Sequence, residues 1–489
     1  MDDNSGNGTE NQSSTMVVEE VAPEVTTPEE VLTSDMPPAL PPDMPADIPA
    51  DMPPVIYEDN SGKYKVMAGM VIFFVIVLII FLKLILGGGG IKSSKPINLV
   101  YWGLWEEKEV FEPLIAQYQA KNKNVTIEYQ KMSEQDYLQK LISRSKSGQG
   151  PDIFRFHNTW VPQLQEVITA LPSTIMSNKD FEATFYPVHQ SDLKVGNNFY
   201  GLPLSIDGLV LICNEDLFKR AGITSMPTNW DEVIDAAAKL SVKDQSGNLV
   251  TGGIAIGLTS NIEHFSDIFG LILLQNGANL QQLNQETAAG ALESYRKFAE
   301  NPENNFWDES MPNSITAFIQ EKVAMVIAPS WQVLSIKATN PDIKIKVVGT
   351  PVVPGGKPVA LASYWVEGVS KYSKNQIEAW KFVKYLTEKE NLTKLYENES
   401  KVRLFGEPYS RVDLASTLVQ NEYIGPVIEE AKYFVSLPLN SRTFDNGLND
   451  EIIRYIENAI NATVQGGSYS EALNTASAGV TQILSRFNK

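Results

Sequence analysis

The stretch LPLSIDGLVLICN, residues 202–214, is apolar or small at nearly every position except for one carboxylate, Asp207. A short apolar run of this kind predicts a strand that is buried on both faces. A buried ion destabilises a protein by several kcal/mol unless it is paired or hydrogen-bonded. Asp207 therefore has an internal partner, or its strand passes an opening where a polar group lies.

Strands and helices alternate on either side of this stretch. INLVYW (97–102), VTIEYQ (125–130) and PDIFRF (151–156) predict strands, and KVAMVIA (322–328) and KIKVVGT (344–350) predict two more. The segment 109–122 between the first two strands predicts a helix with one apolar face, formed by Val110, Phe111, Leu114, Ile115 and Tyr118. Capped or amphipathic helices are also predicted at 133–148, 228–240 and 375–386. This alternation predicts an α/β fold with a largely parallel sheet.

Charge is distributed unevenly along the 489 residues, whose formal net charge is −19. Residues 1–62 contain fourteen acidic residues and no Lys or Arg, so the remainder contributes only −5. A chain without a basic stripe argues against nucleic acid as a partner. The single cysteine, Cys213, excludes a disulfide within the chain and is expected to be a buried free thiol.

Composition divides the chain into four segments. Residues 1–62 are acidic and Pro-rich and predict a disordered tail. Residues 63–86 contain an uncharged apolar run from 66 to 82, which as a helix matches a bilayer core of about 30 Å and predicts a transmembrane helix. Residues 87–96, with the sequence GGGGIKSSKP, predict a flexible tether, and residues 97–489 predict the folded body. Lysines flank the apolar run on both sides, so charge alone does not orient it.

Common catalytic and cofactor motifs are missing from the sequence. It contains no HExxH, GxSxG, GxGxxG or CxxC pattern, and no EF-hand loop. The histidines, His157, His189 and His264, are far apart and more typical of structural positions than of metal ligands. The sequence predicts no cofactor, no metal and no catalytic residue.

Aromatic and polar residues gather instead where predicted strands end, which is where α/β folds bind ligands. They are Trp102, Trp105 and Glu106 after the first strand; Phe156, His157, Asn158 and Trp160 around the end of PDIFRF; Trp331 after KVAMVIAPS; and Tyr364, Trp365 and Glu367 after PVALAS. Flat aromatic faces suit the apolar faces of sugar rings, while carboxylates and amides suit hydroxyls. The four groups together favour a polar ligand of carbohydrate size.

Residues 97–489 resemble the extracellular solute-binding proteins of ABC transporters, in particular the family-one, maltose-binding-like group. The resemblance is carried in order by INLVYWGLWEEKEVFEPLIAQYQAKNKNVTIEY, SGQGPDIFRFHNTW, YGLPLSIDGLVLICNEDLFKRAGITSMPTNWDEVIDAAAKL, FIQEKVAMVIAPSW, NQIEAWKFVKYLTEKENL and INATVQGGSYSEALNTA. The third segment is the most specific of these.

The resemblance implies a two-lobed, periplasmic-binding-protein-like (type II) fold with a ligand cleft between the lobes. Lobe 1 is expected at about 97–205 and 333–385, and lobe 2 at about 206–332 and 386–489. Asp207 would lie on a hinge crossing, facing the cleft, solvated when the cleft is open and bound to ligand when it is closed. The expected ligand-binding residues are Trp105, Glu106, Phe156, Asn158, Asp207, Trp331, Tyr364 and Trp365. A late stacking aromatic of the maltose-binding type has no clear counterpart here, and Arg442 or Phe444 is left as a substitute, or the pocket differs.

The function that the resemblance implies is binding without chemistry. A membrane-anchored receptor, with its tail in the cytoplasm and its body outside, would deliver a mono- or oligosaccharide to ABC permease subunits. A sensor that signals to a membrane partner is an alternative, and a glycosidase using Asp207 and Glu106 is another. A polyamine would need several acids in the cleft and a phosphorylated ligand several bases, so a neutral saccharide is preferred.

Overall fold

The computed structural model describes residues 71–79, 95–300 and 305–487. Contacts divide the chain into two compact units, residues 1–89 and residues 90–489. In the first unit residues 71–79 form a helix whose apolar side chains are all exposed. Among the described residues no helix combines the length and the apolar character needed to cross a bilayer. The predicted tail (1–62), the flanks of the predicted span (63–70 and 80–86) and most of the predicted tether (87–94) lie outside the described residues.

The second unit is built on two five-stranded sheets. Its strands are β1 (Ile97–Gly103), β2 (Val125–Lys131), β3 (Ile153–His157), β4 (Lys194–Val195), β5 (Asn198–Phe199), β6 (Leu202–Pro203), β7 (Leu209–Asn214), β8 (Val242–Lys243), β9 (Leu249–Ile254), β10 (Val323–Pro329), β11 (Ile345–Val348), β12 (Ala360–Leu361), β13 (Trp365–Val369) and β14 (Phe434–Val435). Its helices are Lys108–Lys121, Tyr137–Lys146, Val161–Leu164, Asn178–Thr184, Pro187–Leu193, Glu215–Arg220, Trp230–Leu240, Phe265–Gln275, Glu286–Glu300, Ser314–Ile319, Gln332–Thr339, Gln376–Leu386, Lys389–Ser400, Ala415–Leu418, Gly425–Glu430, Leu448–Val464 and Tyr469–Arg486.

The first sheet has the order β2-β1-β3-β13-β6, and the second has the order β11-β7-β10-β9-β8. The central strands β3, β7 and β10 are buried along their whole length, as their continuous apolar sequences predict. The helix Lys108–Lys121 buries the five residues of its predicted apolar face. Cys213 is a buried free thiol in β7, which confirms that prediction.

The prediction of a largely parallel sheet is wrong, because both sheets are mixed. In the first sheet β13 runs antiparallel to β3 and β6, and in the second β7 runs antiparallel to β10 and β11. Strands β6, β7, β11 and β13 lie next to segments that pass between the sheets. Of these, β7 and β13 enter their sheets from the crossings rather than through a helix that returns the chain to the same edge, so they run against their neighbours.

Three segments cross between the sheets: residues 204–208, 349–364 and 436–447. The crossings contact one another, since Ser363 N–H donates to Asp207 O at 2.9 Å and Asn440 Nδ2 donates to Ala362 O at 3.0 Å. Short strands β12 and β14 pair in parallel beside them. Asp207 therefore does lie on a crossing between lobes.

Two of the predicted lobe bounds need correction. Strand β11, placed in lobe 1 by sequence, pairs with β7 in the second sheet, because the chain leaves lobe 2 only after residue 348. The helix Lys389–Ser400, placed in lobe 2, packs on Lys108–Lys121 of lobe 1, with Asn398 Nδ2 donating to Val110 O at 3.0 Å. The helices Leu448–Val464 and Tyr469–Arg486 pack on lobe 2, as predicted for the end of the chain.

Candidate functional site

A cleft of about 650 Å³ lies where the ends of strands from both sheets meet the crossings. Its lining residues come from lobe 1 (Trp105, Glu134, His157, Trp365, Arg403, Glu407), from lobe 2 (Glu263, Asn313, Ile315, Thr316, Trp331, Gln332, Leu334, Ser335) and from the crossings (Asp207, Ser363, Tyr364, Ser441, Arg442, Phe444). The volume falls within the range of small-molecule sites, about 300–1,000 Å³.

The structure brings five of the eight predicted ligand-binding residues to this cleft: Trp105, Asp207, Trp331, Tyr364 and Trp365. The other three, Glu106, Phe156 and Asn158, lie behind the cleft wall and are buried.

Asp207 is only 3% exposed, and its carboxylate is already bound by the protein. It accepts hydrogen bonds from the backbone N–H groups of Gly208 at 2.7 Å, Ser330 at 3.2 Å and Trp331 at 3.2 Å. The last two lie at the N-terminal end of the helix Gln332–Thr339, where the helix dipole favours a negative charge. In this conformation Asp207 is therefore not solvated, because the end of the helix supplies its partners.

Burial is the main reason why the pKa of Asp207 is raised to about 7, and the negative charge of Glu407 acts in the same direction. The hydrogen bonds from Gly208, Ser330 and Trp331 oppose this shift by stabilising the charged form. Asp207 can thus exist in either protonation state near neutral pH.

Three tryptophans present rings to the cleft from both walls. Trp105 and Trp365 meet edge to face in lobe 1 with ring centroids 5.5 Å apart, and Trp160 supports Trp365 from behind at 5.4 Å. Trp331 stands on the lobe 2 wall against His264 at 5.8 Å. Trp105 is 39% exposed and has a φ of 66°, a left-handed conformation that is costly for a large side chain. In this backbone conformation Trp105 lines the cleft.

Glu106 belongs to a buried ion network rather than to the cleft surface. Arg155 contacts Glu106 through one guanidinium nitrogen and Glu367 through another at 2.7 Å. Arg403, which reaches the cleft, extends the network to Glu399 at 3.1 Å and Glu407 at 3.0 Å. The prediction that Glu106 offers a free carboxylate to a ligand is therefore not met, because Arg155 already neutralises it.

Phe156 is fully buried in β3, where the close approach of Gly201 and Gly368 accommodates its ring. It cannot stack on a ligand in this conformation. Trp365 lines the cleft instead; it lies in the neighbouring strand β13, where it pairs with His157 of β3.

Asn158 positions Tyr364 rather than a ligand. Its Oδ1 accepts from Tyr364 N–H at 3.2 Å, and its Nδ2 donates to Asp192 at 2.9 Å. The Tyr364 hydroxyl also donates to Asp192, at 2.7 Å. This shared carboxylate fixes the Tyr364 side chain at the crossing.

Few sequence signals indicated the polar residues on the lobe 2 wall. His264 lies between Ser441 Oγ at 2.8 Å and Gln332 Oε1 at 3.1 Å, and burial lowers its pKa so that it is neutral. Burial likewise lowers the pKa of His157 to about 3. In the sequence, the only signal for His264 and for His157 was a position close to the end of a strand or helix.

Residues 441–447 form a strained loop that brings both Arg442 and Phe444 to the cleft, two residues that the sequence left as alternatives. Arg442, Phe444 and Asn446 all have positive φ, at 61°, 54° and 45°. The buried Asp445 carboxylate holds the loop by accepting from the N–H groups of Gly447 at 3.0 Å and Asn449 at 2.9 Å. The Asn- and Gly-rich sequence TFDNG was the available signal, since these residues tolerate such backbone.

Comparison with known proteins identifies the family. Residues 103–393 match the family described as bacterial extracellular solute-binding protein, which is more than half of the chain. A multiple sugar-binding protein of Streptococcus mutans is 25% identical over 278 residues, which cover 53% of this chain and 63% of that protein.

Solved structures share the fold. A solute-binding protein of Thermotoga lettingae, bound with alpha-D-tagatose, matches with a TM-score of 0.61 and 24% identity, covering 80% of this chain and 100% of that chain. A cyclo/maltodextrin-binding protein complexed with maltotetraose matches with a TM-score of 0.65 and 18% identity, covering 80% of this chain and 98% of that one. The described body therefore has the two-lobed α/β fold of such proteins.

Proposed function

The chain belongs to the bacterial extracellular solute-binding protein family, and on this premise we propose that its cleft receives a saccharide for delivery to an ABC-type permease. The observation that carries the proposal is the set of three tryptophan rings that face one cleft of about 650 Å³ from both lobes. Aromatic faces pack well on the apolar faces of sugar rings, and the polar residues between them suit hydroxyl groups. The same ligand class is supported by a relative named as a sugar-binding protein and by structural neighbours that were solved with a bound sugar.

Ligand binding would act by closing the two lobes about the three crossings. A ligand shifts a conformational equilibrium only by as much as it binds one state more tightly. Trp105 and Trp365 on one wall and Trp331 on the other contact the same ligand best when the walls approach. The closed form would then be the one that a permease recognises.

The proposed ligand-binding residues are Trp105, Asp207, Trp331, Tyr364 and Trp365. Glu106, Phe156 and Asn158 are reassigned to the support of the wall, because each is buried and bonded or packed within the protein. A glycosidase would need two carboxylates facing a sugar across its scissile bond. Glu106 is ion-paired with Arg155 and Asp207 is bound by three N–H groups, so this pair does not favour turnover.

We further propose that residues 63–86 anchor the receptor in the membrane, with residues 1–62 in the cytoplasm and the body outside. The apolar run from 66 to 82 and the extracellular character of the family support this arrangement. A tether such as residues 87–96 would keep the receptor near its permease and raise its effective concentration there. A sensor would use the same cleft, and a genomic neighbourhood without permease genes would favour it.

The test is thermal unfolding of the purified chain, in a detergent without a sugar headgroup, against a panel of mono- and oligosaccharides. A ligand present at one hundred times its Kd should stabilise the fold by about 2.7 kcal/mol. We expect the midpoint to rise with one sugar class and Trp331→Ala to abolish the rise. The control is Tyr372→Ala, which removes an exposed aromatic outside the cleft. A well-folded protein with no midpoint shift for any saccharide would rule the proposal out.

A further inference from the structure

We propose, on the basis of the proposed function, that the cleft selects its saccharide by charge. It would bind the ammonium group of an amino sugar at Glu134 and disfavour sugars that carry a phosphate or a carboxylate. The inference concerns which saccharides enter, and it can fail while the saccharide proposal stands.

Acidic groups outnumber basic groups on the cleft surface. The described lining residues include four carboxylates, Glu134, Asp207, Glu263 and Glu407, and two guanidinium groups, Arg403 and Arg442. The one histidine among these lining residues, His157, does not change this balance, because burial lowers its pKa and keeps it neutral. This excess of acids over bases departs from the neutral saccharide that the sequence favoured as ligand.

Both arginines are already engaged by the protein. Arg442 pairs with Glu263, whose second oxygen accepts from Asn313 Nδ2 at 2.8 Å. Arg403 lies 3.0 Å from Glu407 and 3.1 Å from Glu399. An anionic ligand would have to compete with these carboxylates for either guanidinium group and would also approach the remaining acids.

Glu134 differs from the other three cleft acids. Within the described part of the chain its carboxylate has no hydrogen bond and no ion pair, whereas Asp207, Glu263 and Glu407 each have at least one. An acid with an unused carboxylate on a binding surface is free to pair with a cation that a ligand brings.

Topology places Glu134 beside the aromatic wall. Strands β1 and β2 are parallel neighbours in register from Ile97 and Val125 to Gly103 and Lys131, so the loops that follow them leave the sheet side by side. Lys131 Nζ joins these loops by contacting Glu107 Oε1 at 2.6 Å. One loop carries Trp105 and the other carries Glu134, and both side chains line the cleft. An ammonium group there would meet a carboxylate together with an indole face, which attracts cations.

The electrostatic state of Asp207 supports a negative field in the cleft. Burial raises the pKa of Asp207 most, and Glu407 raises it further by repulsion of like charge. The negative charge of Glu407 that disfavours ionisation of Asp207 favours a positive charge on the ligand.

The experiment compares matched sugars by isothermal titration calorimetry on the full chain, in a detergent without a sugar headgroup. Each series keeps the ring and changes one group: glucose, glucosamine, N-acetylglucosamine, glucuronate and glucose 6-phosphate, with galactose and mannose series built in the same way. We expect the amino sugar of at least one series to bind about tenfold more tightly than its neutral partner, in line with a charge-assisted hydrogen bond of about 1.5 kcal/mol. The N-acetylated sugar should lose this advantage, and the acidic sugars should bind more weakly than the neutral one.

The variant Glu134→Gln should remove the advantage of the amino sugar and leave the affinity for the neutral sugar unchanged. Glu109→Gln makes the same change of charge on an exposed helix position outside the cleft and should leave the advantage intact. The advantage should also shrink as salt is added, because the pair is partly exposed.

Neutral sugars that bind as tightly as their amino counterparts would overturn the charge inference and leave the saccharide receptor in place. An amino-sugar advantage that survives Glu134→Gln would overturn the assignment to Glu134. Spermidine binding in the absence of any sugar binding would overturn both proposals, since a polyamine needs only the acids.

Discussion

The two walls of the cleft hold their side chains in place by different means. On the lobe 1 wall a buried guanidinium group, Arg155, joins Glu106 and Glu367, and the Tyr101 hydroxyl donates to Glu367 at 2.7 Å. On the lobe 2 wall Trp331 is held by its own N–H, which donates to Asp207, and by contact with the neutral ring of His264.

The two walls differ in how much stability the protein loses when one bonding partner of a wall is removed. A buried charge left without its partner destabilises a protein far more than a lost hydrogen bond does. The lobe 1 wall is therefore the more rigid surface, and we infer that the lobe 2 wall is the one that adjusts to a ligand. Three changes test this contrast, in order of expected effect.

Replacement of Arg155 should have the largest effect. Arg155→Met keeps most of the side-chain volume but leaves Glu367 buried without its counter-charge and Glu106 with only the more distant Arg403, so the free energy of unfolding should fall by about 3–5 kcal/mol. Urea denaturation would measure this decrease in the free energy of unfolding. Arg220→Met is the matched control, since it breaks an exposed pair with Glu321 and should change stability by no more than about 1 kcal/mol. Similar losses in the two variants would refute the claim that the lobe 1 wall depends on its ions.

Replacement of Asp207 should have a smaller effect on stability and a visible effect on Trp331. Asp207→Ala leaves the N–H groups of Ser330 and Trp331 without their acceptor, and we expect a loss of about 1–3 kcal/mol. Asp207→Asn retains one acceptor oxygen and should lose less stability than Asp207→Ala. Tryptophan fluorescence, compared with the same changes in a Trp331→Phe background, reports whether the indole moves. An emission change of equal size in that background would show that Asp207 does not position Trp331.

The pH dependence of stability should show the smallest effect. The pKa of Asp207 is about 7 in the folded protein and near its ordinary value of 3.8 when unfolded, so the folded state binds more protons between these values. The contribution of Asp207 to stability is therefore fully present below about pH 4 and decreases as the pH rises toward 7. Urea unfolding at pH 5 and at pH 8 should show a larger decrease for the wild type than for Asp207→Asn. A wild type that gains stability relative to the variant as the pH rises would contradict the raised pKa.

The local elements were largely predictable because their signals lie within a few residues. The apolar face of Lys108–Lys121 is visible in the spacing of five side chains. Asn229, in the predicted helix start TNWDE, caps the helix Trp230–Leu240 by accepting from Glu232 N–H at 3.0 Å. Such features need no knowledge of the rest of the chain.

The site was only partly predictable, because partners far apart in sequence decide which side chain reaches the cleft. Arg155 lies 49 residues after Glu106 and converts a predicted ligand contact into a buried ion pair. In β3 every residue is buried, so no alternation reveals that Phe156 faces the core. The positive φ angles that bring Arg442 and Phe444 to the cleft are set by Asp445, whose partners include Gln163 of lobe 1 at 2.9 Å.

The three crossings have a consequence for the order in which the chain is synthesised. Lobe 1 is assembled from the early strands together with β13 and the helix Lys389–Ser400, while lobe 2 also needs the helices Leu448–Val464 and Tyr469–Arg486. A chain that emerges from its N-terminal end completes lobe 1 first and leaves the helices Phe265–Gln275 and Glu286–Glu300 of lobe 2 without their packing partners until the last two helices appear. The apolar faces of these two helices are then the surfaces most in need of protection from aggregation during biogenesis.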